Sequence, residues 1–346
     1  MAGLATKFGS GAMTNSVEGI SRNDVLFVIG SNTTENHPII GLRMKEAVAN
    51  GAQLIVADPR KIPLVKFATL WLRHKPGTDS VLLNAIMNAI LAEGLEDKNF
   101  IAARTEGFAE LVESLATFTP EFAEGVTGVA ADDIRKAARI YAGAEKAGIY
   151  YAMGITQHTM GTNNVSAIGN LAMLTGNLGK DAAGVNPLRG QNNVQGACDM
   201  GALPNVFPGY QKVIDADARQ KFEQAWGVQN LPDKNGLMIP QMMEGLVDKK
   251  IRGFYIFGEN LANTEPDIAK VEHELSSAEF LVCNDIFPTE TTRFAHVVFP
   301  AAAGACLQLA VVAAAIGLWR AAEIAVVAAS RRWLTAGGGG AALGRR

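Results

Sequence analysis

The stretch Val25-Leu26-Phe27-Val28-Ile29, running into Gly30-Ser31-Asn32, carries the fold. Five consecutive apolar residues with no polar alternation read as a strand buried on both faces, and the Gly-Ser-Asn reads as the loop at its end. Downstream, Gly41 to Asn50 (GLRMKEAVAN) has apolar residues at helical spacing and stops at Asn50-Gly51, after which Leu54 to Ala57 (LIVA) repeats the buried-strand pattern. Strand, helix and strand in this order form a βαβ unit, which predicts a parallel sheet.

The same grammar extends along the chain. Asp79 opens DSVLLNAIMNAILAEG, a strongly apolar helix with Asp79 as its expected N-cap, and three shorter helical patterns follow, the last from about Ala131 to Gly143. Ala147 to Met153 (AGIYYAM) is a further apolar strand ending in Gly154, and Asn164 to Leu174 returns to helix. Gly184 to Gly209 is rich in Gly, Asn and Pro without apolar periodicity, so a long loop is expected there, a type of segment that often carries function. Phe254 to Phe257 into Gly258, a helix over 265–274 and Phe280 to Cys283 repeat the pattern in a second unit, with His296 to Phe299 as a further strand. The expected fold is α/β, with doubly wound, largely parallel sheets carrying helices on both faces.

The 346 residues, 48% of them apolar, suffice for two globular units, expected over 1–191 and 192–303. The last 43 residues (346 − 303) form an atypical Ala/Gly/Arg-rich tail, 304–346, with one acidic residue, Glu323, and no lysine. Ala301 to Trp319 lacks charge and has the length of a bilayer span, but Gln308, the many alanines and the Arg-bearing end argue against a membrane segment. A net charge of −3 and the absence of any Lys/Arg run give no broad attraction to nucleic acid or anionic lipid, so neither is an expected partner. Cys198, Cys283 and Cys306 lie far apart with no C-x-x-C pair, so no disulfide framework, iron–sulfur motif or zinc motif is legible. Together with an N-terminus lacking the apolar core of a secretory signal, this predicts a cytoplasmic location.

Three loops at strand ends share a logic: Gly30-Ser31-Asn32, Asp58-Pro59-Arg60 and Met153-Gly154-Ile155-Thr156-Gln157. In a doubly wound sheet, ligands sit beyond the carboxyl ends of the strands, where glycine permits close backbone approach and an acid accepts ribose hydroxyls. Asp58 suits that acid, and Arg60 suits a phosphate through its planar fork. Any one loop is equally explained by the glycines and caps that every α/β protein carries; the three together favour a nucleotide-like ligand. Gly9-Ser10-Gly11-Ala12 resembles half of a dinucleotide fingerprint but has no preceding strand. His37 and His158 lack spaced partners and read as hydrogen-bonded loop residues, Cys198 as a structural thiol. No metal ligand is assigned. Arg189, flanked by Gly190 in a polar loop, reads either as a binder of a small carboxylate or phosphate or as a solvated surface residue.

From 176 to 210 the sequence runs GNLGKDAAGVNPLRGQNNVQGACDMGALPNVFPGY, and over about residues 2 to 300 it is accompanied, in order, by FGSGAMTNS, GSNTTENHPIIG, ADPRKIPL, KPGTDSVLLNAI, RTEGF, MGITQHTMGTNN, YIFGEN and NDIFPTET. In these segments the chain resembles the catalytic subunit of molybdopterin-dependent formate dehydrogenases, whose central loop differs from that of related nitrate and sulfoxide reductases. The resemblance implies two units of the molybdopterin oxidoreductase fold and a bis(molybdopterin guanine dinucleotide) cofactor with molybdenum or tungsten. It also implies a [4Fe-4S] cluster, for which this chain has no ligands. Position by position, it places Gly30, Asn32 and Glu35 in a first nucleotide loop, Asp58 and Arg60 in a second, and Gly77 and Asp79 in a third. Met153, Gly154 and Gln157 fall beside the pterin, while Gln191, Gly258, Glu259, Thr264, Asn284 and Asp285 match further cofactor contacts. Arg189 matches the arginine that orients formate.

The family begins with a cysteine-rich cluster domain and carries a Cys or selenocysteine metal ligand, followed by His, just before the segment matching Ala2-Gly3-Leu4-Ala5. Met1 stands where the family has Val, so a GTG start assigned just past a misread selenocysteine codon is expected. Beyond Gly304 the tail has the composition expected of a shifted reading frame in GC-rich DNA. The flanking DNA tests both. The expected function is two-electron oxidation of formate to carbon dioxide, with formate and electron-transfer subunits as partners and this chain an inactive fragment. The alternatives are a non-catalytic molybdopterin-cofactor-binding module or another molybdopterin oxidoreductase such as a nitrate reductase.

Overall fold

The computed structural model describes residues 2–190 and 194–302, and the chain divides into two compact units, with the division after Gly190. The expected cofactor contact Gln191, the tail over 304–346 and nearly all of the 301–319 segment lie outside the described residues.

In the first unit, five strands form one parallel sheet: β1 (Val25–Ile29), β2 (Gln53–Ala57), β3 (Leu70–Leu72), β4 (Ala147–Tyr151) and β5 (Gly184–Pro187). Their order is β3-β2-β1-β4-β5, and every neighbouring pair is parallel. All five residues of β1 and of β4 are buried, the pattern of strands covered on both faces. The pleat sends alternate residues of β1 to opposite cores. Val25, Phe27 and Ile29 join a cluster with Leu82, Ile86 and Ile90 of the helix Asp79–Ala92 and with Ile134 and Ile168 of the helices Ala131–Ala142 and Gly161–Leu174. Leu26 and Val28 face Met44 and Ala47 of the helix Pro38–Ala49. A doubly wound sheet thus stands on the five-residue run from Val25.

The differences from the sequence reading are local. β3 is three residues long, too short for an apolar run to announce it. β5 takes the first four residues of the segment expected to be a loop, because Gly184 to Pro187 pairs with β4 and needs no periodicity of its own at a buried edge. That segment also holds the helix Val194–Asp199 and β6 (Val206–Phe207), which pairs in a small hairpin with β7 (Gln211–Lys212) just beyond it. β4 ends at Tyr151 rather than at Met153, which begins a helical turn, Met153–Thr156. Four short helices, not three, follow Ala92: Lys98–Arg104, Phe108–Leu115, Pro120–Thr127 and Ala131–Ala142.

In the second unit, β8 (Gly253–Phe257), β9 (Phe280–Asp285) and β10 (Val297–Pro300) form a parallel sheet in the order β10-β9-β8. Ile256, Leu281 and Cys283 pack with Met243 and Leu246 of the helix Ile239–Val247 and Val271 and Leu275 of the helix Ile268–Ser276. A separate aromatic cluster gathers Phe207, Phe222 and Trp226, with Phe222 centred 4.9 Å from each of the other two rings. Among the described residues, no helix is long and apolar enough to cross a membrane.

Candidate functional site

The strand order reverses between β1 and β4: the chain winds from β1 towards β3 on one side and resumes at β4 and β5 on the other. At such a switch point the loops leaving two adjacent strands diverge and leave a crevice beyond their carboxyl ends. A cavity of about 370 Å³ occupies that position, and all five strands contribute to its wall. Gly30, Asn32 and His37 come from the loop after β1, Asp58 and Arg60 from that after β2, and His74, Gly77 and Asp79 from that after β3. Met153, Gly154 and His158 follow β4, and Leu188 and Gly190 follow β5.

The floor of the crevice is backbone. Gly154 N–H donates to Gly30 C=O at 3.1 Å, and Gly30 has φ of +58°. A Cβ on Gly30 would stand 2.7 Å from the Gly154 carbonyl carbon, and one on Gly154 would stand 2.7 Å from Gly30 Cα. Glycine is required at both positions, for conformation at the first and for contact at both.

The acids are buried and tied in place. Asp58 is 5% exposed; its Oδ1 accepts from Arg60 N–H at 2.8 Å and its carbonyl accepts from Trp71 Nε1–H at 2.9 Å. The Arg60 side chain stands out into solvent, 73% exposed, with Nε 3.9 Å from Asp58 Oδ1. Asp79 does not cap its helix as expected. Thr78 occupies the cap position, and the Asp79 carboxylate, in the first helical turn, turns instead to His74, Nε2 to Oδ1 at 2.9 Å, with both side chains almost fully buried. A carboxylate can leave the cap because the helix N-terminus stabilises it anywhere in the first turn. His158 Nε2 lies 2.8 Å from Gly154 O and 3.9 Å from Asp79 Oδ2.

Of the other residues expected in this unit, Glu35 and Gln157 are exposed and do not line the cavity, whereas Met153 and Gly77 do. Arg189 follows β5 but is not in the cavity wall; its guanidinium donates to Gly11 C=O, and its own carbonyl receives His37 Nε2 at 2.6 Å. Burial pushes the phenol of Tyr151 up, and the neighbouring Arg189 charge partly opposes this. The Gly9–Ala12 segment, set aside as a fingerprint, therefore matters as an anchor: Gly9 ends the helix Ala2–Phe8 with φ of +75°, and Gly11 holds the arginine.

In the second unit the expected residues gather at the carboxyl ends of β8 and β9. Gly258, with φ of +63°, donates its N–H to Asn284 C=O at 2.9 Å, and Thr264 Oγ1 donates to Glu259 Oε1 at 2.8 Å. Asp285 Oδ1 accepts from Ile286 N–H at 2.7 Å. Among the described residues, no three His, Cys, Asp or Glu side chains stand close enough to hold a metal ion.

His74 was missed. A lone histidine before Lys75-Pro76-Gly77 carries no periodic signal, and only the fold sets it against Asp79.

The chain is similar to proteins whose names bear on this site. It is 51% identical over 300 residues to the F420-dependent formate dehydrogenase subunit alpha of Methanocaldococcus jannaschii, covering 87% of this chain and 44% of that protein. It is 45% identical over 300 residues to formate dehydrogenase H of Escherichia coli, covering 87% of this chain and 42% of that protein. The chain thus spans less than half the length of these relatives. Among solved structures, acetylene hydratase from Pelobacter acetylenicus shares the fold, with a TM-score of 0.62 and 21% identity over 82% of this chain and 43% of that one. The family model described as molybdopterin oxidoreductase matches residues 3–304, and this chain belongs to that family.

Proposed function

We propose that this segment is a cofactor-binding part of a formate dehydrogenase catalytic subunit, one that oxidises formate to carbon dioxide at a bis(molybdopterin guanine dinucleotide) centre with molybdenum or tungsten. The observation that carries this reading is the cavity at the β1/β4 switch point, built from all five strand ends, in a chain 45–51% identical to formate dehydrogenase subunits.

The residues present suit such a group. Asn32 Oδ1 and His37 Nδ1 belong to cavity-lining residues and are buried without a partner, as is Asn284 Oδ1 at the end of β9. A buried acceptor left unpaired costs about 1–3 kcal/mol. The edges of pterin and guanine rings, rich in N–H donors, supply what these oxygens and this nitrogen lack. The two glycines let the loops after β1 and β4 meet backbone to backbone at the cavity, where a diphosphate can approach main-chain amides.

When bound, the group supplies the redox centre that takes two electrons from formate. The chain's own part is to bind and orient. Asp58 accepts ribose hydroxyls, Asp79 accepts ring N–H groups, and Arg60 offers a fork to phosphate. Met153, Gly154 and Gln157 flank the pterin, Glu35 and Gly77 complete the nucleotide loops, and Gly258, Glu259, Thr264, Asn284 and Asp285 form a second set of contacts. Arg189, which matches the family's formate-orienting arginine, would hold the formate carboxylate by charge-assisted hydrogen bonds. Iron–sulfur clusters and electron-transfer subunits would carry the electrons away.

The test compares two proteins. The 346-residue chain, purified from a host that makes the cofactor, should retain pterin and metal but reduce no viologen dye with formate; the longer subunit containing it should do both. Dye reduction by the shorter chain refutes the expectation that it is inactive alone, and a longer subunit that ignores formate refutes the substrate.

A further inference from the structure

Among the described residues, His37 links the loop after β1 to the residue assigned to formate. Its backbone is fixed from both sides: His37 N–H donates to Thr33 C=O at 3.0 Å, and its carbonyl accepts from Gly41 N–H at 2.9 Å. Pro38 follows as the first residue of the helix Pro38–Ala49, which holds φ at that junction. His37 is among the residues lining the cavity, and its Nε2 lies 2.6 Å from the Arg189 carbonyl oxygen. A carbonyl only accepts, so Nε2 carries the hydrogen, and in the neutral ring Nδ1 is then an acceptor. That Nδ1 is buried with no partner.

Among the described residues, contacts to its carbonyl and to its guanidinium both hold the arginine. Its carbonyl is bound by His37, and its guanidinium by Gly11 C=O, while the preceding Leu188 N–H donates to Tyr151 C=O at 2.7 Å and ties the segment to the end of β4. A planar fork recognises a carboxylate only if its plane and origin are set beforehand. Removing the His37 contact frees the main chain from which the fork projects, and a displacement of about 1 Å in such a group can cost on the order of 100-fold.

We propose that His37 is a positioning residue for Arg189: Nε2–H fixes the arginine's main chain, and Nδ1 accepts an N–H from the group bound in the cavity, so the cofactor loop and the formate-binding residue share one strut. This rests on the formate reading above.

Two measurements test it. In the 346-residue chain, His37→Leu should speed amide hydrogen exchange in the peptide containing Leu188 to Gly190 by at least tenfold, and His37→Gln, whose amide N–H can reach the same carbonyl, should restore slow exchange. In the longer, cofactor-loaded subunit, His37→Leu should raise KM for formate at least tenfold with kcat changed less than threefold, since a carboxylate held equally in ground and transition states appears in KM. His37→Gln should lie within threefold of the parent in both constants. If His37→Leu cannot be loaded, His37→Asn replaces it: its shorter amide keeps a group near Nδ1 but cannot span to Arg189, and the same rise in KM is expected. Unchanged exchange, an unchanged KM in a loaded variant, or failure of Gln to rescue overturns the role of His37 while leaving the formate reading standing. An unmodified subunit that does not turn over formate removes both.

Discussion

At the scale of single residues, the site depends on what is missing from Gly30 and Gly154. Ala at position 30 meets a left-handed φ and a Cβ contact of 2.7 Å with backbone that cannot move aside. Ala at Gly94 meets only the first problem, since φ is +66° and nothing lies within 4 Å. Gly30→Ala should therefore destabilise by about 1–3 kcal/mol more than Gly94→Ala, the size expected of an overpacked site. Urea unfolding of the two variants measures the difference, and equal midpoints contradict the close approach. Cys283 makes a second prediction. Burial, helped by the charge of Asp285, pushes its thiol up to about 11. The thiol thus keeps its proton at neutral pH and should react with iodoacetamide at pH 8 at least tenfold more slowly than a free peptide cysteine, until the chain is unfolded. Because the folded value lies above the unfolded one, about 8.5, the contribution to stability is complete below pH 8 and is lost as pH rises towards 11. Fast alkylation of the native chain contradicts this burial.

At the scale of elements, the helix Asp79–Ala92 shows how place decides the worth of a polar contact. At its start Asp79 and His74 meet in the interior; at its end Glu93 receives two hydrogen bonds from Arg139, at 2.7 and 2.9 Å, on the surface. Asp79→Ala leaves a buried imidazole nitrogen without its partner and should cost about 1–3 kcal/mol. Arg139→Ala should leave the urea midpoint within measurement error, because solvent screens the pair. Its small effect has a pH signature: Arg139 holds the Glu93 carboxyl below the usual range, so the stabilisation is present above about pH 4.3 and disappears as the pH falls further. Urea unfolding at pH 7 checks the two variants, and an NMR titration of the Glu93 carboxyl with and without Arg139→Ala checks the direction of its shift. The elements also show why some were legible and others not. β1 and β2 announced themselves because strands covered on both faces are continuous apolar runs. β3 and β5 did not: one is three residues long, and Gly184-Val185-Asn186-Pro187 contains a single large apolar residue.

At the scale of the whole molecule, each core belongs to one unit. Both clusters that sandwich the five-stranded sheet draw only on residues up to Leu188, and the clusters of the second unit begin at Phe207. Residues 1–190 expressed alone should then fold, with one cooperative thermal transition and an unfolding enthalpy on the order of 130 kcal/mol near 60 °C. Calorimetry decides this; a chain that melts without a heat-absorption peak contradicts it.

Read from residue to molecule, the sequence by itself determined the α/β class, the parallel winding from β1 to β2 and the positions of Gly30, Asp58 and Gly154 after their strands. These are properties of local pattern: burial on two faces requires unbroken apolar runs, and a turn next to backbone requires glycine. It could not tell where the strand order reverses, because nothing in an apolar run specifies which neighbour it pairs with. Only the tertiary structure put β4 beside β1 and so opened the cavity between their loops. Nor could it turn Asp79 away from its helix cap to His74, or set His37 against Arg189, 152 residues on. The second pairing joins residues distant in sequence; the first joins residues five apart across the turn from β3 into its helix, and the geometry of both exists only after the sheet has closed.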